Sequence, residues 1–539
     1  MMRYHPAVAQ GVGLGIREGR FILLATLLAS GVAFLMGTAV VVALPSIQSY
    51  FESGVAGIQW VISSQLLTLT AFLLVGGAIG DRYGRKRSLV VGILAFAGGS
   101  ALSALAPTIS LLIAFQAVQG VGAALMIPQS LAIINASFLE EKRGQVIGLW
   151  ASLSGGIAAL GPWIGGWLTD TWGWRAVFIL PVPILLAAAL VTIRHVPETR
   201  RFSNYALDWR GTILVLLGLL SLSYGLVMGP ERQWTDPSII AALLAAAAFL
   251  AAYAAVERRE PNPLVPGEVV RNTLVVSANV VTLLVYLVLN GVIVYLTLNL
   301  QQLQNLTASR AGLALLPPVI IITIFAGPAG ALADRIGPRI QMIWGPGMVG
   351  LGAILLAFTP SQAIYARDVL PGLLALGVGM ALTIAPLTKS ALAVREELSG
   401  AASGLNNAIS RLAALLAVAI LGAVLVTSFG AYLESNLTES SLSLEQQELL
   451  LARSDRLADM EVPEDFDDAA RAIASSAIDG AFVGAFRNAM ILSGVLALLS
   501  ALVSFIYIKP SKGGGANETC THCHPVPSMR IPANHEDGK

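Results

Sequence analysis

Fourteen long apolar runs limit what this chain can fold into. A helix that spans a bilayer needs about 20 apolar residues, and runs of that length recur between residues 21 and 508. Hydrophobic residues make up 55% of the chain and charged residues 12%, whereas about a quarter of a soluble domain is charged. Hydrocarbon offers the backbone no hydrogen bonds, so each run is predicted to be helical. The sequence therefore predicts an all-α polytopic membrane protein.

The predicted spans form a first group of six, a middle pair and a last group of six. The first six lie near 21–44, 57–80, 88–107, 109–137, 144–168 and 175–194, the pair near 211–228 and 238–256, and the last six near 273–300, 312–333, 341–359, 368–393, 400–428 and 484–508.

Lysine and arginine are concentrated in alternate loops. The loop with Arg85, Lys86 and Arg87 is the most basic of them. Because short basic loops stay in the cytoplasm, this alternation predicts that both termini are cytoplasmic and that the membrane is the inner cell membrane. The first apolar run is too long for a cleaved signal, so residues 1–20 are interpreted as a cytoplasmic tail.

A duplicated loop divides the chain into two related halves. GAIGDRYGRKR, which begins at Gly77, and GALADRIGPRI, which begins at Gly330, match at a constant offset of 253 residues. Two structural repeats are typical of secondary transporters.

The resulting prediction is two six-helix bundles joined by an inserted pair of helices. Its segments are a tail at 1–20, a first bundle at 21–200, a linker with two helices at 201–271, a second bundle at 272–508 with an external loop at 429–483, and a cytoplasmic tail at 509–539.

Several ordered motifs resemble the major facilitator superfamily. The duplicated loop resembles its motif A, LLIAFQAVQGVGAAL from Leu111 resembles motif B, and GGIAALGPWIGGWL from Gly155 resembles the antiporter motif C. With fourteen spans, the chain is similar to the drug:proton antiporter branch. The resemblance implies efflux of drugs or other small amphipathic compounds across a cell membrane by alternating access.

The resemblance also implies roles for the motif residues. Motif A contacts are expected to hold a cytoplasmic gate closed, with Arg85 and Lys86 pairing with Glu140 or Glu141. The expected gate residues are Gly77, Asp81, Arg82, Gly84, Arg85, Lys86, Asp334 and Arg335, and the expected helix-packing residues of motif C are Gly161, Pro162, Gly165 and Gly166. Small residues let helices approach closely in lipid.

Two departures from the family pattern concern charge. Met36 occupies the position of the usual first-span aspartate, and Gln116 that of the usual motif B arginine. Removing one partner of a buried ion pair would leave a costly charge, whereas removing both leaves a neutral cavity. We therefore expect proton coupling to be relocated or absent.

Polar residues at depth mark the predicted substrate cavity. Arg411 lies about four turns into span thirteen, where facing lipid would be costly. The predicted cavity residues are Gln65, Gln116, Gln119, Asn290, Asn407 and Arg411, with Gln301 and Gln302 as weaker candidates.

The remaining features give no sign of an enzyme or a cofactor. The nucleotide-binding pattern GxxxxGK[ST] is absent, so ATP is not expected. A net charge of +1 does not favour nucleic acid. Cys520, His522, Cys523 and His524 carry soft-metal ligands, but adjacent ligands in a polar tail rarely close a site, and no metal is predicted.

The expected partners are a small amphipathic substrate, the lipid bilayer and, where coupling has been retained, protons. Two alternatives stay open. One is a proton-uncoupled facilitator or an exchanger of lipids or metabolites. The other is a non-transporting receptor or assembly partner that uses the acidic external loop.

Overall fold

The computed structural model describes residues 17–199, 209–259, 267–395, 398–460, 462–463 and 465–508. In these ranges, fourteen helices or helix pairs are long and apolar enough to cross a membrane. This confirms the predicted number of spans and the all-α fold. The Cys/His tail lies outside the described residues.

Six spans form the first bundle. They are α1 (Arg17–Phe51), α2 (Val55–Tyr83), α3 (Arg85–Ala104), α4 (Ile109–Ser137), α5 (Glu140–Trp172) and, as one span, α6 (Arg175–Ile179) with α7 (Pro181–His195). The inserted pair is α8 (Trp209–Arg232) and α9 (Pro237–Glu257).

The second bundle follows the short helix α10 (Gly267–Arg271). Its spans are α11 (Thr273–Leu298) with a π-helical turn at Asn299–Leu303, α12 (Ala308–Ala314) with α13 (Leu316–Ile336), α14 (Pro338–Leu356), α15 (Leu370–Ala391) with a π-helical turn at Tyr365–Val369, α16 (Ser399–Thr438) and α18 (Asp468–Tyr507). Between the last two lie α17 (Leu444–Leu451) and a 3₁₀ turn at Ser454–Asp459.

The two bundles repeat the same internal contacts. In the first, α2 and α3 pack on α4, and α1 packs on α5; in the second, α13 and α14 pack on α15, and α11 packs on α16. The bundles meet along two seams, where α2 packs on α16 and where α5 packs on α12 and α13. Helix α8 covers the first seam, since Leu219 packs against Leu67 of α2 and Leu415 of α16.

The last two spans are longer than the sequence predicted. Helix α16 continues to Thr438, and α18 already begins at Asp468. The predicted external loop at 429–483 therefore contains the ends of both helices, and residues 439–467 join them. The Ala-rich stretch after Asp467 supports helix formation, and the Asp467 carboxylate caps the helix by accepting a hydrogen bond from the Ala470 amide at 2.7 Å.

Glycines set the distance between neighbouring helices. A Cβ atom on Gly122 of α4 would lie 2.6 Å from the Phe96 amide nitrogen and 2.9 Å from the Gly92 carbonyl oxygen of α3. A Cβ atom on Gly98 would meet no atom within 4 Å. Without hydrophobic attraction between helices in lipid, such close packing is a main source of stability.

We predict opposite effects for alanine at these two glycines. Gly122→Ala should destabilise the protein by about 1–3 kcal/mol because backbone atoms obstruct the new methyl group. Gly98→Ala should be neutral or stabilising by up to about 1 kcal/mol, since alanine favours a helix. Thermal unfolding of both variants in detergent checks this, and equal unfolding midpoints would contradict it.

Candidate functional site

The space between the bundles is bounded by two faces of the molecule. We call the face with the motif A loops the basic face and the opposite face, which carries residues 439–467, the acidic face. Residues from both bundles meet at the acidic face and near the middle of the spans.

Motif A folds as a compact turn within its own bundle. Gly84 joins α2 to α3 with a φ of 114°, a conformation that favours glycine. The Arg85 guanidinium pairs with Asp81 at 2.8 Å and donates a hydrogen bond to the Ala132 carbonyl at 3.0 Å. Arg82 lies over the ring of its neighbour Tyr83, 5.5 Å from the ring centre.

Lys86 has a different partner from the expected one. Its Nζ donates a hydrogen bond to the Ile193 carbonyl at 2.7 Å, and its backbone amide donates to Glu198 at 3.1 Å. The side chains of Glu140 and Glu141 lie outside the described residues, so the expected pairing with them stays a prediction. Close helix approach in motif A occurs at Gly76 and Gly80, where a Cβ atom would overlap Ala124 and Gln129, whereas a Cβ atom on Gly77 would lie 3.8 Å from Pro128.

The second copy of the loop repeats this geometry. Gly337 has a φ of 84°, as its counterpart Gly84 has a positive φ. Arg339, at the position that corresponds to Lys86, donates a hydrogen bond to the Phe505 carbonyl at 3.0 Å. In each bundle a basic side chain thus ties the loop to the last span. The Asp334 side chain is outside the described residues, and Arg335 is exposed.

Motif C packs on both bundles. Its Gly161 and Gly165 lie against α1, where Cβ atoms would come 2.8 Å from the Leu35 carbonyl oxygen and 2.5 Å from the Ala39 carbonyl oxygen. A Cβ atom on Gly166 would come 2.3 Å from the Ala308 carbonyl oxygen of α12.

A glycine of the second bundle completes this contact. A Cβ atom on Gly312 of α12 would come 2.1 Å from the carbonyl oxygen of Pro162. Motif C therefore closes the α5 seam near the acidic face.

Asp170 strengthens this closure and was not singled out from the sequence. Its carboxylate accepts hydrogen bonds from the backbone amides of Ala308 at 3.1 Å and Ser309 at 2.8 Å. A carboxylate at a helix start satisfies free amides and complements the helix dipole. Because Asp170 ends α5 and these amides begin α12, the contact joins the two bundles.

Glutamine side chains also form hydrogen bonds across the seam at this face. Gln301 donates a hydrogen bond to the Val42 carbonyl at 2.9 Å, and Gln302 donates to Gln48 at 3.0 Å. The two glutamines, predicted as weaker cavity candidates, thus serve interbundle contact. A cavity of about 670 Å³ opens at this face between the same elements.

The segment at 439–467 reaches across to the first bundle. Gln48 donates a hydrogen bond to the Arg456 carbonyl at 3.1 Å, Arg456 donates to the Glu52 carbonyl at 3.2 Å, and Ser49 donates to Asp459 at 3.0 Å. Burial raises the pKa of the neighbouring Asp455 carboxyl. The hydrogen bonds of Asp170, Gln301, Gln302 and the segment at 439–467 join the two bundles at the acidic face. The structure is therefore closed on that side.

The predicted cavity residues separate into two groups. Gln116 and Gln119 are fully buried inside the first bundle, and Gln119 contacts Ser103 of α3 at 3.5 Å. Gln65 is also buried, at 8% exposure, on the α2 surface that packs on Gly120. Neither amide atom of Gln116 has a hydrogen-bond partner among the described residues.

Arg411, Asn290 and Asn407 lie in the second bundle. Asn407 is exposed and donates a hydrogen bond to the Ser403 carbonyl, while Asn290 donates to the Tyr286 carbonyl. The guanidinium carbon of Arg411 lies 5.3 Å from the ring centre of Phe34, which belongs to the first bundle. Phe34 is not among the residues predicted from the sequence, because isolated aromatic residues in apolar runs carry no distinguishing pattern.

Met36, at the position of the family's aspartate, is 1% exposed and packs in the main core. Neither Met36 nor Gln116 faces lipid. Both neutral replacements are therefore part of the protein interior in this conformation.

Comparison with known proteins gives a consistent result. Residues 26–418 match the family model described as Major Facilitator Superfamily. The chain is 34% identical over 420 residues to "Multidrug resistance protein Stp" of Mycobacterium tuberculosis, with 77% of this chain and 78% of that protein covered. It is 33% identical over 429 residues to a puromycin resistance protein of Streptomyces alboniger, with 78% and 85% covered.

Solved structures show the same fold. A bacterial homologue of the human lysosomal transporter Spinster, crystallised inward-facing, aligns with a TM-score of 0.63 and 17% identity over 91% of this chain and 97% of that chain. The xylose transporter XylE of E. coli aligns with a TM-score of 0.56 and 16% identity over 92% and 97%.

We predict that removing the Asp170 carboxylate loosens the acidic face. Asp170→Ala leaves two amides of α12 without their acceptor, so the bundles should separate more often at this side. Spin labels at Pro107→Cys and Arg310→Cys report the distance between the bundles by double electron–electron resonance. In Asp170→Ala we expect an additional population at longer distance.

Asp236→Ala is the matched control for Asp170→Ala. Asp236 also accepts hydrogen bonds at a helix start, but from Ser238 of its own helix pair. The distance distribution of this variant should equal that of the unsubstituted protein. An unchanged distribution in Asp170→Ala would show that Asp170 does not hold the seam.

Proposed function

The chain belongs to the major facilitator superfamily, and on this basis we propose that it exports small amphipathic compounds from the cell by alternating access. It is an integral membrane protein and a secondary transporter, a class distinct from enzymes. The observation that carries the proposal is the seam at the acidic face. There Gly166, Gly312 and Asp170 hold two repeated bundles together through contacts that an alternating transporter must make and break.

The relatives support export as the direction of transport. The proteins from Mycobacterium tuberculosis and Streptomyces alboniger are named for resistance to multiple drugs and to puromycin. A further relative from Streptomyces glaucescens is named "Tetracenomycin C resistance and export protein", with 28% identity over 424 residues. We propose that this chain likewise removes toxic amphipathic molecules.

Charge distribution sets the proposed orientation. Short basic loops remain in the cytoplasm, so the basic face is cytoplasmic and the acidic face external. The seam that is closed in this structure is then the external one, which makes the cytoplasmic side the side of substrate entry. Both termini lie in the cytoplasm, and the membrane is the cell membrane.

Export can be tested directly with everted membrane vesicles from cells that produce the protein. Puromycin, the compound in a relative's name, is a suitable first probe within a panel of amphipathic drugs. We expect energised vesicles to accumulate members of the panel above the level of vesicles without the protein. Equal accumulation throughout the panel would contradict the proposed function.

A proton-uncoupled mechanism is the second candidate, and the neutral Met36 and Gln116 favour it. Without an intramembrane carboxyl at the family position, that route of proton binding is missing. Collapse of the pH gradient in the same vesicles separates the two mechanisms. Loss of accumulation would rule out the uncoupled mechanism, and continued accumulation would rule out obligatory proton exchange.

We propose that Asp81 and Arg85, with the other motif A residues, form the cytoplasmic gate. Asp81→Asn removes the charge that holds Arg85 against the loop, so vesicle accumulation should fall at least tenfold at equal protein level. Lys142→Ala, an exposed basic residue on the same face, is the control and should retain activity. Full activity of Asp81→Asn would exclude the gate role.

External closure should depend on Gly312. Gly312→Leu places a side chain where the Pro162 carbonyl lies 2.1 Å from a Cβ position, which prevents closure and should abolish accumulation. Gly327→Leu is the matched control, because a Cβ atom there meets nothing within 4 Å. Accumulation that survives Gly312→Leu would mean that the closed seam is not part of the transport cycle.

A further inference from the structure

Arg411 is a membrane-embedded charge without a counter-charge among the described residues. Arg411 lies twelve residues into α16, about 18 Å along the helix axis at 1.5 Å per residue. It forms no ion pair with a carboxylate in the described ranges. The predicted spans contain no aspartate or glutamate apart from Asp368, which begins one of them.

Arg411 also differs from the structural arginines of this chain. Arg85, Arg339 and Arg456 each donate a hydrogen bond to a backbone carbonyl, of Ala132, Phe505 and Glu52 respectively. Within the part of the chain that the structure describes, Arg411 donates none. A guanidinium with five unused donors suits a ligand with several acceptor oxygens better than a packing role.

Aromatic side chains of α1 and α5 lie near this charge. The ring centre of Phe34 lies 5.3 Å from the guanidinium carbon. Trp150 of α5 meets Phe34 edge to face, with ring centres 6.4 Å apart. These inclined rings form an apolar wall against which one face of an aromatic ligand can pack.

Trp150 supplies a second unused donor. Its side chain is 9% exposed, and its indole N–H is buried without an acceptor among the described residues. A buried donor without a partner is costly unless a ligand or a water molecule satisfies it. Trp150 and Phe34 belong to the first bundle and Arg411 to the second, so a ligand here would contact both moving parts.

We propose that the transported substrates are anionic aromatic amphiphiles whose carboxylate or sulfonate binds Arg411. This inference rests on the proposed function and names its substrate class. The aromatic body lies against Phe34 and Trp150. A cation is disfavoured at this site, because it would face an arginine with no carboxylate nearby. Export of an anion moves negative charge outward, which an inside-negative membrane potential favours.

Three probes of the same shape and different charge test this proposal. They are 2-naphthoate, neutral 2-naphthamide and the 2-naphthylmethylammonium cation. Binding to the purified full-length protein is measured by isothermal titration calorimetry. We expect the protein to bind naphthoate at least tenfold more tightly than naphthamide, and the cation most weakly. Absence of naphthoate binding, or preference for the cation, would overturn the proposal.

Variants assign the charge preference to one residue. Arg411→Gln should weaken naphthoate binding at least tenfold and leave naphthamide binding unchanged, and Arg411→Lys should retain part of the preference. Arg487→Gln is the matched control, because Arg487 is also an arginine of a span beside an aromatic ring, that of Phe358 at 5.9 Å. Equal naphthoate affinity in Arg411→Gln and the unsubstituted protein would refute the assignment.

The folding of the variants and the transport activity of the protein are measured in separate experiments. Thermal unfolding and naphthamide binding show whether Arg411→Gln is folded. If it is not, naphthoate binding is compared between Arg411→Lys and the unsubstituted protein instead. Uptake into reconstituted vesicles then distinguishes the two levels of the proposal. Transport of neutral or cationic drugs without naphthoate transport overturns the substrate class alone. Arg411-dependent naphthoate binding without transport of any compound supports the site and contradicts the exporter.

Discussion

The cost of placing charge in hydrocarbon governs this structure. Carboxylates are absent from the interior of the predicted spans, and basic residues are concentrated in loops at one face. Arg411 is an exception, and it lies beside Phe34 of the opposite bundle. A charge that is expensive in lipid is thus placed at the interface between the two bundles, where a ligand can compensate it.

The same constraint explains how the bundles are held together. Lipid removes the hydrophobic drive for helix association, so close packing and hydrogen bonds must replace it. At the α5 seam, Gly166 and Gly312 bring backbones into contact, and Asp170 caps α12 across the seam. These contacts are mainly between backbone atoms and include no ion pair. The two bundles can therefore separate at a modest cost in free energy. A tight but reversible seam is what alternating access requires.

Sequence patterns predicted the elements that follow from composition and repetition. Span number, the all-α fold and the two repeats were predictable, because hydrophobic length and a duplicated loop encode them. The extent of α16 and α18 was not, because helical signals continue beyond the apolar runs. Site partners such as Phe34 and Trp150 come from distant spans, and no local pattern links them to Arg411.

We infer that an unpaired arginine, in place of the family's acid–base couple, makes this transporter a carrier of anions. Counting the charge moved per molecule tests it most directly. In reconstituted vesicles, valinomycin and potassium set the membrane potential, worth about 2.3 kcal/mol per charge at 100 mV. We expect one net negative charge to move with each naphthoate, at a rate that follows the membrane potential without a pH gradient. Electroneutral naphthoate movement that requires a pH gradient would contradict it.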